Sequence, residues 1–215
     1  RDWFIQEKAE SFIYKSKKTI LPFPIPNLIG FHQIQNAATA IACIEMCKEI
    51  DILDENIAKG LKNVNWPGRF MALPDGDLRK KLPVKWNIWL DAGHNGAAGE
   101  ALAKTVRQIN GDSLLPLHII FGMLEDKDSS VFLRPFMKYA SSITAVALPD
   151  EPRSHNPELT SVALTKSGIK TGWNHSLEAS LNNLANTVNE AQILICGSHA
   201  IVGTALLINS KGISG

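Results

Sequence analysis

A few short segments hold the residue types that could do chemistry. Asp91-Ala92-Gly93-His94-Asn95 crowds a carboxylate, an imidazole and an amide into five residues directly behind an apolar run. A carboxylate at a strand end can accept ribose hydroxyls, and a neighbouring His or Asn can orient a substrate carboxylate or amine. The plainer reading is an aspartate that caps the next helix. Cys196-Gly197-Ser198-His199 joins another apolar run to a helix start. Backbone N–H groups there can receive an anion such as an amino-acid carboxylate, although a simple strand–helix turn looks the same in sequence. Trp66-Pro67-Gly68-Arg69-Phe70 sets one arginine behind a rigid turn, where a guanidinium could hold a phosphate or a bound nucleotide. Taken alone, a surface arginine in a linker is the simpler account.

Gly30-Phe31-His32-Gln33-Ile34-Gln35-Asn36-Ala37-Ala38 opens a helix with amides and small residues. Asn36 can both donate and accept, as an adenine edge requires, yet the segment by itself reads as a capped core helix. Asp126-Lys127-Asp128 reads as a solvated charged loop. Cys43 and Cys47 lie four apart on a helix and could grip a metal, but no second Cys/His pair stands at ligand spacing. They and Cys196 read as small packing residues, and no metal ligands are expected within the chain. A Gly-x-x-x-x-Gly-Lys-Ser/Thr phosphate loop, a Gly-x-Gly-x-x-Gly fingerprint and a Gly-x-Ser-x-Gly elbow are all missing from the sequence.

The elements that must position these groups fall into two parts. Trp3–Gln6 and Ser11–Lys15 read as strands, and the alternating prolines of Leu21-Pro22-Phe23-Pro24-Ile25-Pro26 force an extended path that Gly30 closes. Helices are expected from about Gln33 to Glu49, and from Asp54, as N-cap, to about Asn63. Asn65-Trp66-Pro67-Gly68 is the strongest internal break. Beyond it, strands and helices alternate. Strands are expected at Asn87–Leu90, Leu117–Phe121, Ile143–Leu148 and Ile193–Cys196. Helices are expected through Ala98–Ile109, through Phe132, Phe136 and Ala140, from Pro157 to Gly168, through Leu177–Val188 and over Ala200–Leu207. Strands without alternation, separated by helices, predict an α/β fold with a parallel sheet covered on both faces. In such sheets ligands bind beyond the carboxyl ends of the strands. Asp91–Asn95, Gly122–Asp128, Pro149–His155 and Gly197–His199 should therefore share one rim. Asn110-Gly111-Asp112 and Ser167-Gly168 should be ordinary turns on the opposite side.

Composition narrows the classes. The 215 residues carry 22 Lys+Arg against 21 Asp+Glu, a formal charge of +1, with 45% hydrophobic and 20% charged residues. That balance argues against a sequence-blind nucleic-acid binder and against a disordered chain. No apolar run approaches the ~18–20 residues of a membrane helix. Arg1-Asp2-Trp3-Phe4 has no signal-peptide character. Three cysteines suit a reducing compartment, so a cytoplasmic, non-membrane protein is expected.

Taken in order, these segments resemble folylpolyglutamate synthase / dihydrofolate synthase, of the Mur ligase superfamily. The likeness rests on Leu21–Pro24, Gly30–Ala38, Trp66–Arg69, Leu90–Asn95, Gly122-Met123 with Asp126–Asp128, and Cys196–Ser198 with Val202-Gly203. It covers only the later half of such an enzyme. The resemblance implies that residues 1–65 are the tail of the central ATPase domain and residues 66–215 the C-terminal Rossmann-like domain. It implies an ATP-dependent ligase in which ATP phosphorylates a carboxylate of dihydropteroate or folate and the amine of L-glutamate attacks the acyl phosphate. The phosphate loop and the magnesium ligands are expected in the missing N-terminal part, so ATP and Mg2+ are the implied cofactors and this fragment alone is expected to be inactive. Partners are small molecules only, and a monomer is expected.

By motif position, Asn36 resembles the adenine contact, Arg69 the hinge arginine that reaches the phosphates, and Asp91 the ribose or interdomain carboxylate. His94 and Ser198 resemble amino-acid-site residues, and His32 supports the helix start. Catalytic roles would fall to Arg69, Asp91 and His94. Three places depart from the pattern. Met71 stands where an acidic residue is common, Gly96 where a proline follows His-Asn, and His199-Ala200-Ile201 where an aromatic follows Gly-Ser. Two other readings fit parts of the pattern. One is a Mur-type ligase of peptidoglycan synthesis, the other a non-catalytic Rossmann-like binding module.

Overall fold

A computed structural model describes residues 2–47, 49, 52–111 and 115–210. The first three strands, β1 (Trp3–Glu7), β2 (Ser11–Ser16) and β3 (Ile20–Pro24), form an antiparallel sheet in that order. In β2 the alternation buries Phe12 and Tyr14, which meet Ile34, Ala37, Ala38 and Ile41 of helix α1 (Phe31–Met46). That i, i+3, i+4, i+7 set is the apolar stripe of an amphipathic helix. Pro22 and Pro24 fall on β3, at the sheet margin, where a missing N–H costs least. Gly30 starts α1 with φ 116°, a conformation that suits a residue without Cβ. The helix ends at Met46, three residues short of Glu49, because Cys47 is already extended; Lys48 lies outside the described residues. Helix α2 (Asp54–Asn63) begins one residue earlier than expected. Leu53 is its N-cap and Asp54 sits in the first turn, where its charge opposes the helix dipole.

The chain divides into two compact units, Arg1–Pro67 and Gly68–Gly215. The second contains β4 (Met71–Ala72), α3 (Asp77–Lys81), β5 (Trp86–Asp91), α4 (Gly96–Asn110), β6 (Leu117–Phe121) and α5 (Ser129–Leu133), which runs into one 3-10 turn at Arg134–Phe136. It continues with β7 (Ala140–Val146), α6 (Pro157–Lys166), β8 (Gly172–Asn174), α7 (Leu177–Ala185), β9 (Ala191–Cys196) and α8 (His199–Ser210). The sheet order is β4-β5-β9-β6-β7-β8, parallel except for β4 at one margin.

Every residue of β6 and β9 is buried, as unalternated apolar strands require. One sheet face packs Trp86, Ile88, Ile193 and Ile195 against Leu181, Ile201 and Ala205 of α7 and α8. The other packs Ile119, Phe121 and Leu194 against Leu102 and Val106 of α4 and against Phe132 and Phe136. The protein is thus α/β, with a mostly parallel sheet covered by helices on both faces. Ala140 does not end a helix. The backbone turns back where the Tyr139 N–H bonds the Phe136 carbonyl at 2.8 Å, and Ala140 opens β7 level with Leu117. The elements β4, α3 and β8 are too short to leave a periodic signal. Asp112, assigned to a turn from sequence, lies outside the described residues.

Candidate functional site

Pairing register levels the strand ends. Asp91 stands opposite Cys196, Cys196 opposite Phe121, and Phe121 opposite Ala145. The loops after β5, β9, β6 and β7 therefore leave from one rim. The rim is tight: Gly197 has φ 109°, and a Cβ there would lie 2.9 Å from the Gly122 carbonyl oxygen and 2.7 Å from Met123. A backbone bond from the Gly122 N–H to the Cys196 carbonyl, 3.1 Å, ties the two loops together. The Leu124–Ser154 bridge and the His155 N–H bonded to the Met123 carbonyl join the loops after β6 and β7 in turn.

Asp91 closes β5 and is buried, 4% exposed. It does not cap α4, whose cap is Asn95, with its Oδ1 accepting from the Ala98 N–H at 2.9 Å. Instead Asp91 Oδ2 accepts from the Phe70 N–H at 2.8 Å and Oδ1 from the Gly93 N–H at 2.6 Å. One residue on, the Ala92 N–H donates to the Gly68 carbonyl at 2.9 Å. The Phe70 ring stacks on Trp89, 4.9 Å between centroids and 18° between planes. Between the buried Gly68 and Phe70, Arg69 is exposed and makes no hydrogen bond or ion pair among the described residues.

His94 hangs from the same peptide. Its Nδ1 lies 3.0 Å from the Ala92 carbonyl oxygen. A carbonyl only accepts, so Nδ1 carries the proton of this contact and leaves Nε2 as the nitrogen that can face a ligand. Ser198 is buried, and its Oγ accepts from the Ile201 N–H at 3.1 Å, capping α8 from the end of the neighbouring strand. Cys196 beneath it is a packing residue. Burial, with the nearby Asp91 charge adding to it, pushes its thiol well above the usual range.

In the first unit, Asn36 is exposed on α1. Its Nδ2 donates to Gln33 Oε1 at 3.1 Å, and Gln33 Nε2 stands 3.0 Å from His32 Nε2. The start of α1 has no side-chain cap, and these contacts instead link the side chains of His32, Gln33 and Asn36 on its first turns.

The second unit thus brings Arg69, Asp91 and His94 onto one clamp, with Ser198 at the adjoining strand end; Asn36 belongs to the other unit. Asp126-Lys127-Asp128 is more than a charged loop. Asp128 caps α5 by accepting from the Ser130 and Val131 N–H groups, which holds its carboxyl below the ordinary range. Sequence reasoning passed over Phe70 and Trp89, since nothing in the letters marks a buried Phe at φ 34°. Among the described residues no group of three or more His, Cys, Asp or Glu side chains is placed to hold a metal ion. Nor, among the described residues, is any helix long and apolar enough to cross a membrane.

A family model described as "Mur ligase, glutamate ligase domain" matches residues 79–199. The folylpolyglutamate synthase of Lacticaseibacillus casei is 29% identical over 174 residues, which are 80% of this chain and 37% of that protein. The dihydrofolate synthase/folylpolyglutamate synthase of Bacillus subtilis (strain 168) is 30% identical over 149 residues, 68% of this chain and 32% of that protein. The solved structure of E. coli FolC in complex with DHPP and ADP superposes with a TM-score of 0.75 at 20% identity, covering 98% of this chain and 47% of that one. At that identity the superposition speaks for the fold. The chain spans less than half the length of these relatives.

Proposed function

The chain belongs to the Mur ligase family, through its glutamate ligase domain, and from that premise we propose that it is the C-terminal portion of an ATP-dependent ligase that joins L-glutamate to dihydropteroate or a folate. Residues up to about 65 then close the central ATPase domain, and residues from 66 onward form the C-terminal domain. The carrying observation is the clamp at the end of β5, which holds the main chain on both sides of the exposed Arg69, whose side chain has no partner among the described residues, and sets the ring of His94 beside it. The names of the relatives, folylpolyglutamate and dihydrofolate synthases, supply the acceptor.

The physical difficulty of the reaction is charge, because an anionic carboxylate must meet an anionic triphosphate. A cation without a competing carboxylate partner, held at a fixed place, lowers that repulsion more than a mobile one. In this reading Arg69 reaches the nucleotide phosphates and Asn36 contacts the adenine edge. His94 Nε2 and the Ser198 hydroxyl border the amino-acid site. Asp91 holds the strand end from which Arg69 and His94 hang. Magnesium, which screens the phosphates, would be held by groups outside this chain.

The test is ligation with ATP, labelled L-glutamate and dihydropteroate, run on the longer protein that carries this chain and on the 215 residues alone. The longer protein is expected to form the amide and ADP, and the 215 residues neither. Amide formation by the chain alone refutes its reading as a portion. Labelling of a muramyl precursor in place of the pteroate moves the protein to the peptidoglycan branch. Absence of any ligation leaves a binding module.

A further inference from the structure

The turn that carries Arg69 is built at a cost. Phe70 has φ 34°, in the left-handed region that an aromatic residue adopts reluctantly. Gly68 before it has φ 81°. Such a backbone persists only where the surroundings over-determine it. Here they do, for the Phe70 ring is 1% exposed and stacked on Trp89, its N–H is bonded to Asp91, and the Gly68 carbonyl is bonded to Ala92. Both Asp91 oxygens are drawn to main-chain N–H groups. Of the three residues 68–70, the middle one alone projects to solvent.

We propose that Phe70 and Asp91 form a latch that sets the main-chain direction at Arg69, which makes both of them positioning residues. This rests on the reading of Arg69 as a phosphate contact, and it names the groups on which that contact depends. Replacing Asp91 by Asn keeps the size of the side chain but faces one main-chain N–H with another donor. Replacing Phe70 by Ala removes the anchor while leaving Asp91 in place.

The experiment has two readouts: the backbone order of Arg69 without ligand, from relaxation of the 15N-labelled 215-residue chain, and the affinity for ADP, from calorimetry on the longer protein that carries this chain. In Asp91→Asn and in Phe70→Ala, the order at Arg69 is expected to fall. The ADP dissociation constant is expected to rise about tenfold, towards that of Arg69→Ala. If Asp91→Asn weakens ADP while Arg69 stays as ordered as in the parent chain, Asp91 touches the ligand and the latch is overturned. Unchanged order in both variants overturns it too. If Phe70→Ala does not fold, Asp91→Asn decides alone. If Arg69→Ala leaves the ADP affinity of the longer protein unchanged, the phosphate reading falls, and the order at Arg69 in the ligand-free chain still decides the latch.

Discussion

At the carboxyl ends of β5, β9 and β6 polar side chains hold the main chain in place, with His155 Nδ1 nearby buried and without a partner among the described residues, whereas at the amino ends of the same sheet two buried polar side chains keep an atom unpartnered. On the first rim Asp91, Asn95, Asp128 and Ser198 all accept main-chain N–H groups. On the second, His118 Nε2 and Gln192 Oε1 are buried and find no partner among the described residues, although His118 Nδ1 lies 2.7 Å from Ser142 Oγ. The amino side also carries a hollow of 770 Å³, bordered by Lys104, Arg107, Asn110 and Tyr139. That hollow lies away from the rim on which Arg69 and His94 are held. What marks a site here is directed side chains on clamped backbone, and void space is a poorer guide.

The contrast can be broken at the rim first. Phe70→Ala removes a fully buried ring and its stacking partner's contact. A loss of about 3–5 kcal/mol in urea unfolding is expected, and a loss under 1 kcal/mol would mean the latch carries little load. Next in size is the acid response of the amino side. Burial holds His118 below its ordinary 6.5, so the unfolded chain binds more protons at pH values beneath that. Stability should therefore fall as pH drops below about 6.5, and the fall should shrink in His118→Gln; an unaltered pH profile would place the titration elsewhere. Asn95→Ala should cost about 1 kcal/mol as a lost helix cap, read by the same unfolding curves. Smallest are two surface changes. Tyr139→Leu removes the ring under Arg107, 4.5 Å away, for about 0.5–1 kcal/mol. Arg69→Ala should leave stability within about 0.5 kcal/mol. Of these two surface changes only Arg69→Ala should alter an ADP titration of the longer protein, and equal effects from both would erase the distinction between the two rims.

The strand at Ser11–Lys15, the apolar runs Ile119–Phe121 and Ile193–Cys196 and the helical spacing in α4 were legible because burial on defined faces writes itself into residue order. Asp91, His94 and Ser198 were legible as a rim because parallel strands put their carboxyl ends on one side. The role of Asp91 was not legible. A sequence tells that a carboxylate stands at a strand end, but not that the Phe70 amide, 21 residues earlier, will claim it. The fate of Ala140 was hidden likewise. It continues a four-residue spacing from Phe132 and Phe136, and only the turn at Tyr139 removes it from the helix.

The placement of β9 has a consequence for how the chain comes into being. The penultimate element in sequence is a central strand in space, flanked by β5 and β6. During synthesis the sheet must wait, with its middle rung missing, until residue 196 has left the ribosome. A cut before Ala191 would thus remove the middle strand of the second unit and leave the flanks of β5 and β6 unpaired, ready to stick to a neighbour.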